Sequence, residues 1–285
     1  MRTRELPWRA DLHTHTTFSD GLLSPTALVE RAAHCGLAAI AITDHDAVSG
    51  VQEALTSGAQ LGIEVVPGVE ISAGIDTQEI HVLGYWIDHT NAEFDSWLRR
   101  FQAIRVDRIG SILQRLDDIG IHIDYDYVIA LGGPGAVGRP HIAKALVEYG
   151  FVGTEAEAFE TLIGDGCPGY TARERVSPAD AIRIINTAGG VAGWAHPAVE
   201  GHDEWLESLV DMGLEALEVV HPDHSRDDVQ RYRRLAGRFG LIMTGGSDFH
   251  GNDKEGAQTL GRYTVDNAIV RQLEDSASSH REAPT

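Results

Sequence analysis

Asp11-Leu12-His13-Thr14-His15-Thr16-Thr17-Phe18-Ser19-Asp20-Gly21 is the stretch around which the chain is read. His13 and His15 are two residues apart, and in a strand such residues point to the same face. Both imidazoles therefore project together from the end of one strand, an arrangement that suits two ligands on one metal ion. Asp20 follows a short polar turn and offers a hard oxygen. A lone His-x-His pair is equally at home in a core, so the rest of the chain has to decide.

The pattern recurs. Apolar runs end in His, Asp or Glu at Asp44-His45-Asp46, Glu70, His81, His196-Pro197, His221 and Asp248-Phe249-His250. Chance placement would scatter such residues over helices and loops as well. Between the runs lie helical patterns. Ser24-Pro25 reads as an N-cap with Pro at N1, opening a helix that stops at Gly36. Leu37–Thr43 is continuous and apolar, as a strand buried on both faces is. A helix over Val51–Gln60, a strand over Ile63–Pro67 that Ile71-Ser72 can extend, and a strand over Glu79–Ile87 follow.

The alternation breaks at about residue 91. Glu93–Ile119 is a long helical pattern with room for a bend at Gly110, and Gly138–Tyr149 and Thr154–Ile163 are two more. Residues 91–175 are expected to form a mostly helical insertion that caps a barrel built from 1–90 and 176–275. From Ser177-Pro178 helices and strands alternate again, with strands at Val191–Trp194, Ala216–Val220 and Leu241–Thr244 and a short extended piece at Gly261–Val265. A last helix begins at Asn267, and 276–285 is expected to be a disordered tail. The strands number about seven and are mostly joined by helices, which predicts an α/β fold, a distorted (βα)7 barrel with its site at the C-terminal strand ends. An open doubly wound sheet would instead carry a Gly-rich first turn.

Composition narrows the function. The 285 residues include 42% hydrophobic ones, enough for a barrel-sized core. No apolar run approaches the roughly 20 residues of a membrane span, and Met1–Ala10 has no apolar secretory region. Cys35 and Cys167 are read as free thiols, and the expected location is the cytoplasm. A net charge of −20 argues against a passive nucleic-acid binder. An enzyme acting on phosphates stays open, because bound divalent cations reverse the sign locally.

The candidate ligands are His13, His15, Asp20, His45, Glu70, His81, His196, Asp248 and His250. These are too many for one ion, which takes roughly four to six ligands; they suit two or three. Imidazoles and carboxylates without thiolate fit Mn, Zn or Fe. Three divalent ions carry about +6 against roughly −3 from Asp20, Glu70 and Asp248, which leaves a cleft for a phosphate dianion. Clustered ions bring a bridging water to near-neutral pKa and neutralise the leaving oxygen, so the expected reaction is in-line hydrolysis of a phosphoester by a metal-bridging hydroxide.

At these positions the sequence resembles the PHP (polymerase and histidinol phosphatase) family. The matching motifs are Asp11-Leu12-His13-Thr14-His15, Ile42-Thr43-Asp44-His45-Asp46, Pro67-Gly68-Val69-Glu70-Ile71, His81-Val82-Leu83-Gly84-Tyr85, Ala195-His196-Pro197 and Gly246-Ser247-Asp248-Phe249-His250. The resemblance implies a distorted seven-stranded barrel with three metals. His13, His15, Glu70 and Asp248 would hold the first. Asp20, His45 and His250 would hold the second, with Asp20 where some members place a His. Glu70, His81 and His196 would hold the third.

The helical insertion further resembles a branch that removes the 3′-phosphate of nucleoside 3′,5′-bisphosphates, some members of which trim RNA from its 5′ end. Under that resemblance Arg139, in Gly138-Arg139-Pro140-His141, binds a phosphate. His224 binds a phosphate oxygen or protonates the leaving group beside catalytic Asp248, and His221 contributes more weakly. Arg173 and Arg175 are further candidates where the insertion rejoins the barrel. The expected partner is a small phosphorylated nucleotide or a short oligonucleotide, with no membrane and no obligate protein partner. Histidinol phosphate is the rival substrate, and a non-catalytic metal module the rival class. Deaminase-type barrels also open with His-x-His, but many of them use a strand-end Lys, and none occurs here.

Overall fold

β1 (Arg9–Asp11) is only three residues long because the chain leaves the sheet at once to build the site. The computed structural model describes residues 8–75, 78–132, 137–171, 176–251 and 259–282. α1 (Pro25–His34) begins where Ser24 Oγ accepts the Ala27 N–H and Pro25 supplies a preset φ. β2 (Ala39–Ile42) is buried at every position. α2 (Val51–Leu61) ends at Gly62, whose φ of 71° favours glycine.

β3 (Glu64–Ile75) is longer than the sequence reading gave, and β4 (Gln78–Tyr85) begins one residue earlier and ends two earlier. They pair antiparallel from Gly68–Tyr85 to Ile75–Gln78, as a ribbon. Glu70 and His81 therefore lie within strands and not at strand ends as expected.

α3 (Ala92–Asp117) runs unbroken through Gly110. With α4 (Tyr125–Leu131), α5 (Arg139–Glu148), α6 (Glu155–Ala158) and a π-helical turn at Phe159–Ile163, it encloses a separate cluster that includes Ile112, Leu116, Val128, Ile142 and Leu146. Then come α7 (Pro178–Thr187), β5 (Val191–Trp194), the short α8 (Pro197–Glu200), α9 (Leu206–Asp211), β6 (Ala216–Val220), α10 (Arg226–Phe239) and β7 (Ile242–Gly245). The chain finishes with β8 (Val265–Asp266) and α11 (Asn267–Glu282).

Among the described residues the strand order is β7-β6-β5-β4-β3-β2-β1-β8. β1–β2–β3 and β5–β6–β7 are parallel, whereas β4 runs antiparallel to both neighbours. That reversal is the distortion of the barrel. The ends of the sheet approach each other where Leu12 N donates to Gly245 O at 3.1 Å and Thr14 bridges Phe249. At the opposite end of β1 the gap is taken by β8, antiparallel to Arg9 and Ala10. The expected α/β barrel is thus present, with an eighth strand where only an extended piece was expected.

The expected disordered tail is corrected over 276–282. α11 continues to Glu282, with Val270, Leu273 and Ala277 buried on one face. Ala277 extends the apolar spacing past Ser276, and short polar residues on the outer face hid it.

Candidate metal centre

The first turn of the site is tied down by buried polar groups. Asp11 accepts from Ser247 N (2.8 Å) and Gly261 N (3.0 Å), fastening the end of β1 to the segment after β7. Thr14 Oγ1 donates to Ala41 O. Asp44 accepts from Thr16 N, Thr16 Oγ1 and Ser19 Oγ, each at 2.7 Å. The chain between β1 and α1 is therefore held before any ligand enters.

His13 and His15 are fully buried and converge as their spacing predicted. His13 Nε2 lies 3.2 Å from Glu70 Oε2 and 3.3 Å from Asp248 Oδ1. His15 Nε2 lies 3.2 Å and 3.1 Å from the same two oxygens. The other oxygen of Glu70 faces His81 Nδ1 at 2.9 Å and His196 Nε2 at 3.1 Å, and those two nitrogens are 3.2 Å apart. His45 Nδ1 is 3.1 Å from Glu70 Oε2. Asp20 stands 3.3 Å from His250 Nε2 and 3.9 Å from His45 Nε2, and the His15 and His250 rings stack at 4.1 Å. The nine side chains singled out in the sequence meet in one cluster, which Asp20 and His250 join through His15 and His45.

The donor atoms fit divalent ions. Ligand atoms about 2.0–2.2 Å from one ion stand about 3–3.5 Å from each other, as these do. His13 Nε2, His15 Nε2, His45 Nδ1, Asp20 Oδ1 and Glu70 Oε2 are buried and make no hydrogen bond. Buried donor and acceptor atoms left without partners yet converging on common points are satisfied by ions between them.

Charge tells the same story. Burial disfavours the protonated His15 ring, yet Asp248 and Glu70 override it and raise its pKa to about 10. Burial likewise opposes His81, and Glu70 and Glu79 raise it to about 9. At His45 burial prevails over Glu70 and Asp20, and the pKa falls to about 4. Burial would raise Glu70 and Asp248, but the surrounding imidazoles hold both well below the usual carboxylate range. The carboxylates thus demand positive charge, which protons or metal ions can supply.

Sequence reasoning passed over Glu218, Asp44, Ser19 and Asp11 as site residues. Glu218, fully buried in β6, meets His13 Nδ1 at 3.1 Å and accepts the His196 N–H at 2.8 Å. Its signal was one acid inside the apolar run Ala216–Val220.

The substrate-side candidates separate. Asp20, His45 and His81 border a cavity of about 240 Å³ that Arg108, Arg139 and Phe159 also line. The Arg139 guanidinium is 3.4 Å from Asp165, 3.6 Å from Glu79 and 5.6 Å from the centre of the Phe159 ring. His221 Nε2 points at Asp248 Oδ2, 3.6 Å away. His224 departs from expectation. Its Nδ1 meets Val219 O at 3.0 Å and its Nε2 accepts from Ala198 N at 3.4 Å, so main-chain groups take both nitrogens. Arg173 and Arg175 lie outside the described residues.

A distorted barrel with a buried N/O donor set at its rim, opening onto a cavity with arginines, defines a metal-dependent hydrolase of phosphoesters. The chain belongs to the PHP family: residues 11–131 match the PHP domain. It is 36% identical over 245 residues, 84% of this chain and 89% of the relative, to a 5′-3′ exoribonuclease of Haemophilus influenzae. It is 33% identical over 278 residues, 93% of this chain and 96% of the relative, to a 3′,5′-nucleoside bisphosphate phosphatase of Chromobacterium violaceum. A crystal structure named as a metal-dependent phosphoesterase from Bifidobacterium adolescentis superposes with a TM-score of 0.85 at 33% identity, covering 94% of this chain and 96% of that one. The protein is a phosphoesterase of the hydrolase class. No helix among the described residues is long and apolar enough to cross a membrane.

Proposed function

We propose that the protein removes the 3′-phosphate of nucleoside 3′,5′-bisphosphates, leaving the nucleoside 5′-monophosphate. The observation that carries the reading is one cavity lined both by Asp20, His45 and His81 and by Arg139. A substrate with two anionic groups can place one at those side chains and the other at Arg139. Phe159 offers a flat apolar face to the nucleoside between them. The helical segment 91–175 acts as the cap that supplies Arg139.

Three divalent ions, Mn²⁺ first and Zn²⁺ or Fe as alternatives, fit the three donor groups around Glu70. When bound they supply a water activated at neutral pH and neutralise the phosphoryl oxygens. The chain's own residues orient the reaction. Glu70 turns one oxygen to His13, His15 and His45 and the other to His81 and His196, which fixes the spacing of the donor groups. Asp248 turns Oδ1 to His13 and His15 and leaves Oδ2 to His221. His221 Nδ1 accepts the Asp223 N–H at 3.2 Å, so the neutral ring carries its proton on Nε2. That N–H would donate a hydrogen bond to the 3′-oxygen as charge develops on it. His224 props this segment through its two main-chain bonds and positions His221 without touching substrate.

The likeness to the Haemophilus exoribonuclease favours a second reading, in which a short RNA enters 5′ end first. Histidinol phosphate has no second phosphate for Arg139. The two free cysteines, Cys35 and Cys167, suit a reducing cytoplasm.

The test is phosphate release with Mn²⁺ from adenosine 3′,5′-bisphosphate, AMP, histidinol phosphate and a short 5′-phosphorylated RNA, with Asp248→Ala as control. Adenosine bisphosphate is expected to react fastest and to yield AMP. Faster release from histidinol phosphate overturns the substrate assignment. Shortening of the RNA at a rate comparable with the bisphosphate favours the exonuclease.

A further inference from the structure

We infer that Glu218 is the positioning residue that holds one ligand in each of two donor groups, His13 by its side chain and His196 by its main chain. It rests on the metal reading of the site but not on the choice of substrate. Glu218 is fully buried on β6 and makes three contacts. Its Oε1 and Oε2 stand 3.1 Å and 3.2 Å from His13 Nδ1, and Oε2 accepts the His196 N–H at 2.8 Å.

The first pair of contacts selects a tautomer. A neutral imidazole has one N–H. Donated from Nδ1 to Glu218, it leaves the Nε2 lone pair facing Glu70 and Asp248. The opposite tautomer would put a hydrogen into the donor group. The remaining contact stabilises a strained backbone. His196 has φ 28° and ψ 52°, which a non-glycine residue adopts only when its surroundings enforce it. Without the acceptor for its N–H the peptide can relax, and Nε2 moves away from Glu70. His15 is held differently: its Nδ1 reaches Ser19 Oγ at 3.4 Å, and Ser19 donates to Asp44. Glu218 thus reaches one donor group through a ligand's side chain and another through a ligand's main chain.

The experiment is Mn²⁺ and Zn²⁺ titration of chelator-stripped wild type, Glu218→Gln and Glu218→Ala against a competing chromophoric chelator. Melting temperature in EDTA checks the fold of each. Gln keeps the shape, but its NH₂ set against His13 Nδ1 favours the wrong tautomer. Both variants are expected to lose about 10- to 100-fold in metal affinity, the range for outer partners of metal-ligating histidines. At saturating metal, kcat for the released phosphate is expected to recover while KM stays unchanged. A Glu218→Gln protein that melts like wild type in EDTA and binds the same number of ions within twofold of wild-type affinity overturns the proposal. If Glu218→Ala does not fold, Glu218→Gln decides alone. Failure of the bisphosphate to react would leave the titration result unaffected, so the two readings fail separately.

Discussion

Glu70 Oε2 and His15 Nε2 stand 3.2 Å apart, both buried and neither hydrogen bonded. Two groups so placed without an intervening charge cost stability, and one ion between them removes that cost. Glu70→Gln is therefore expected to lower phosphoesterase activity by more than the roughly 100-fold that an outer partner is worth. Metal content of the purified variant, counted by mass spectrometry, checks it.

The metal-free protein should be least stable in alkali. The folded pKa values of His15 and His81 are raised to about 10 and about 9. Raised histidine pKa values stabilise fully below the unfolded value of about 6.5, and that contribution is lost as pH climbs through the folded values. Asp11, which burial raises to about 6 against its hydrogen bonds, acts in the same direction between about pH 4 and 6. His45, lowered to about 4, opposes this by favouring unfolding as pH falls from about 6.5 to 4. Melting scans in EDTA should thus fall between pH 6.5 and 10. With Mn²⁺ present the stabilisation over EDTA should grow across the same window, because ions displace those protons.

Proton release should accompany loading. Calorimetric titration with Mn²⁺ at pH 7.5 in buffers of different ionisation enthalpy should show net proton release, from His15 and His81 among others. Equal heats in all buffers would contradict the charge state described for the site.

Arg139→Ala is expected to raise KM for the bisphosphate and change kcat less. A charged hydrogen bond contributes about 1.5–3 kcal/mol, roughly 10- to 100-fold. AMP and other singly phosphorylated substrates should be affected less. Steady-state kinetics on both separate the effect from a general loss of fold.

Gly246→Ala should disturb the barrel seam. A Cβ there would come within 2.4 Å of His13 Cβ and 2.3 Å of His13 N. Overpacking of this kind costs about 1–3 kcal/mol and here moves a metal ligand. Lower melting temperature together with weaker metal binding is the expected pair of results.

Deleting residues 276–285 should destabilise the protein, because α11 packs on the barrel as far as His280. Ala277 is buried, Ser276 Oγ donates to Glu215, and His280 meets Gly190 O at 2.8 Å. An unchanged melting temperature would show that α11 contributes nothing beyond residue 275.

The barrel and the convergence of His13 with His15 were legible from the sequence because both rest on local rules. His13 and His15 share a face by strand periodicity, and Leu37–Thr43 is apolar on both faces because parallel barrel strands are covered twice. What sequence alone left undecided depends on contacts between distant residues. β8 is two residues long and exists only through its pairing with β1. Glu70 became the centre of the site because the antiparallel β3–β4 ribbon carries it past the end of β2, a register that no single strand encodes. Glu218 was assigned no role until folding set it against His13, 205 positions away. His224 looked catalytic by motif, and only the tertiary structure showed its ring nitrogens taken by Val219 and Ala198. Periodicity determines which face a side chain occupies, whereas hydrogen-bond partners across the fold determine what that side chain has left to offer.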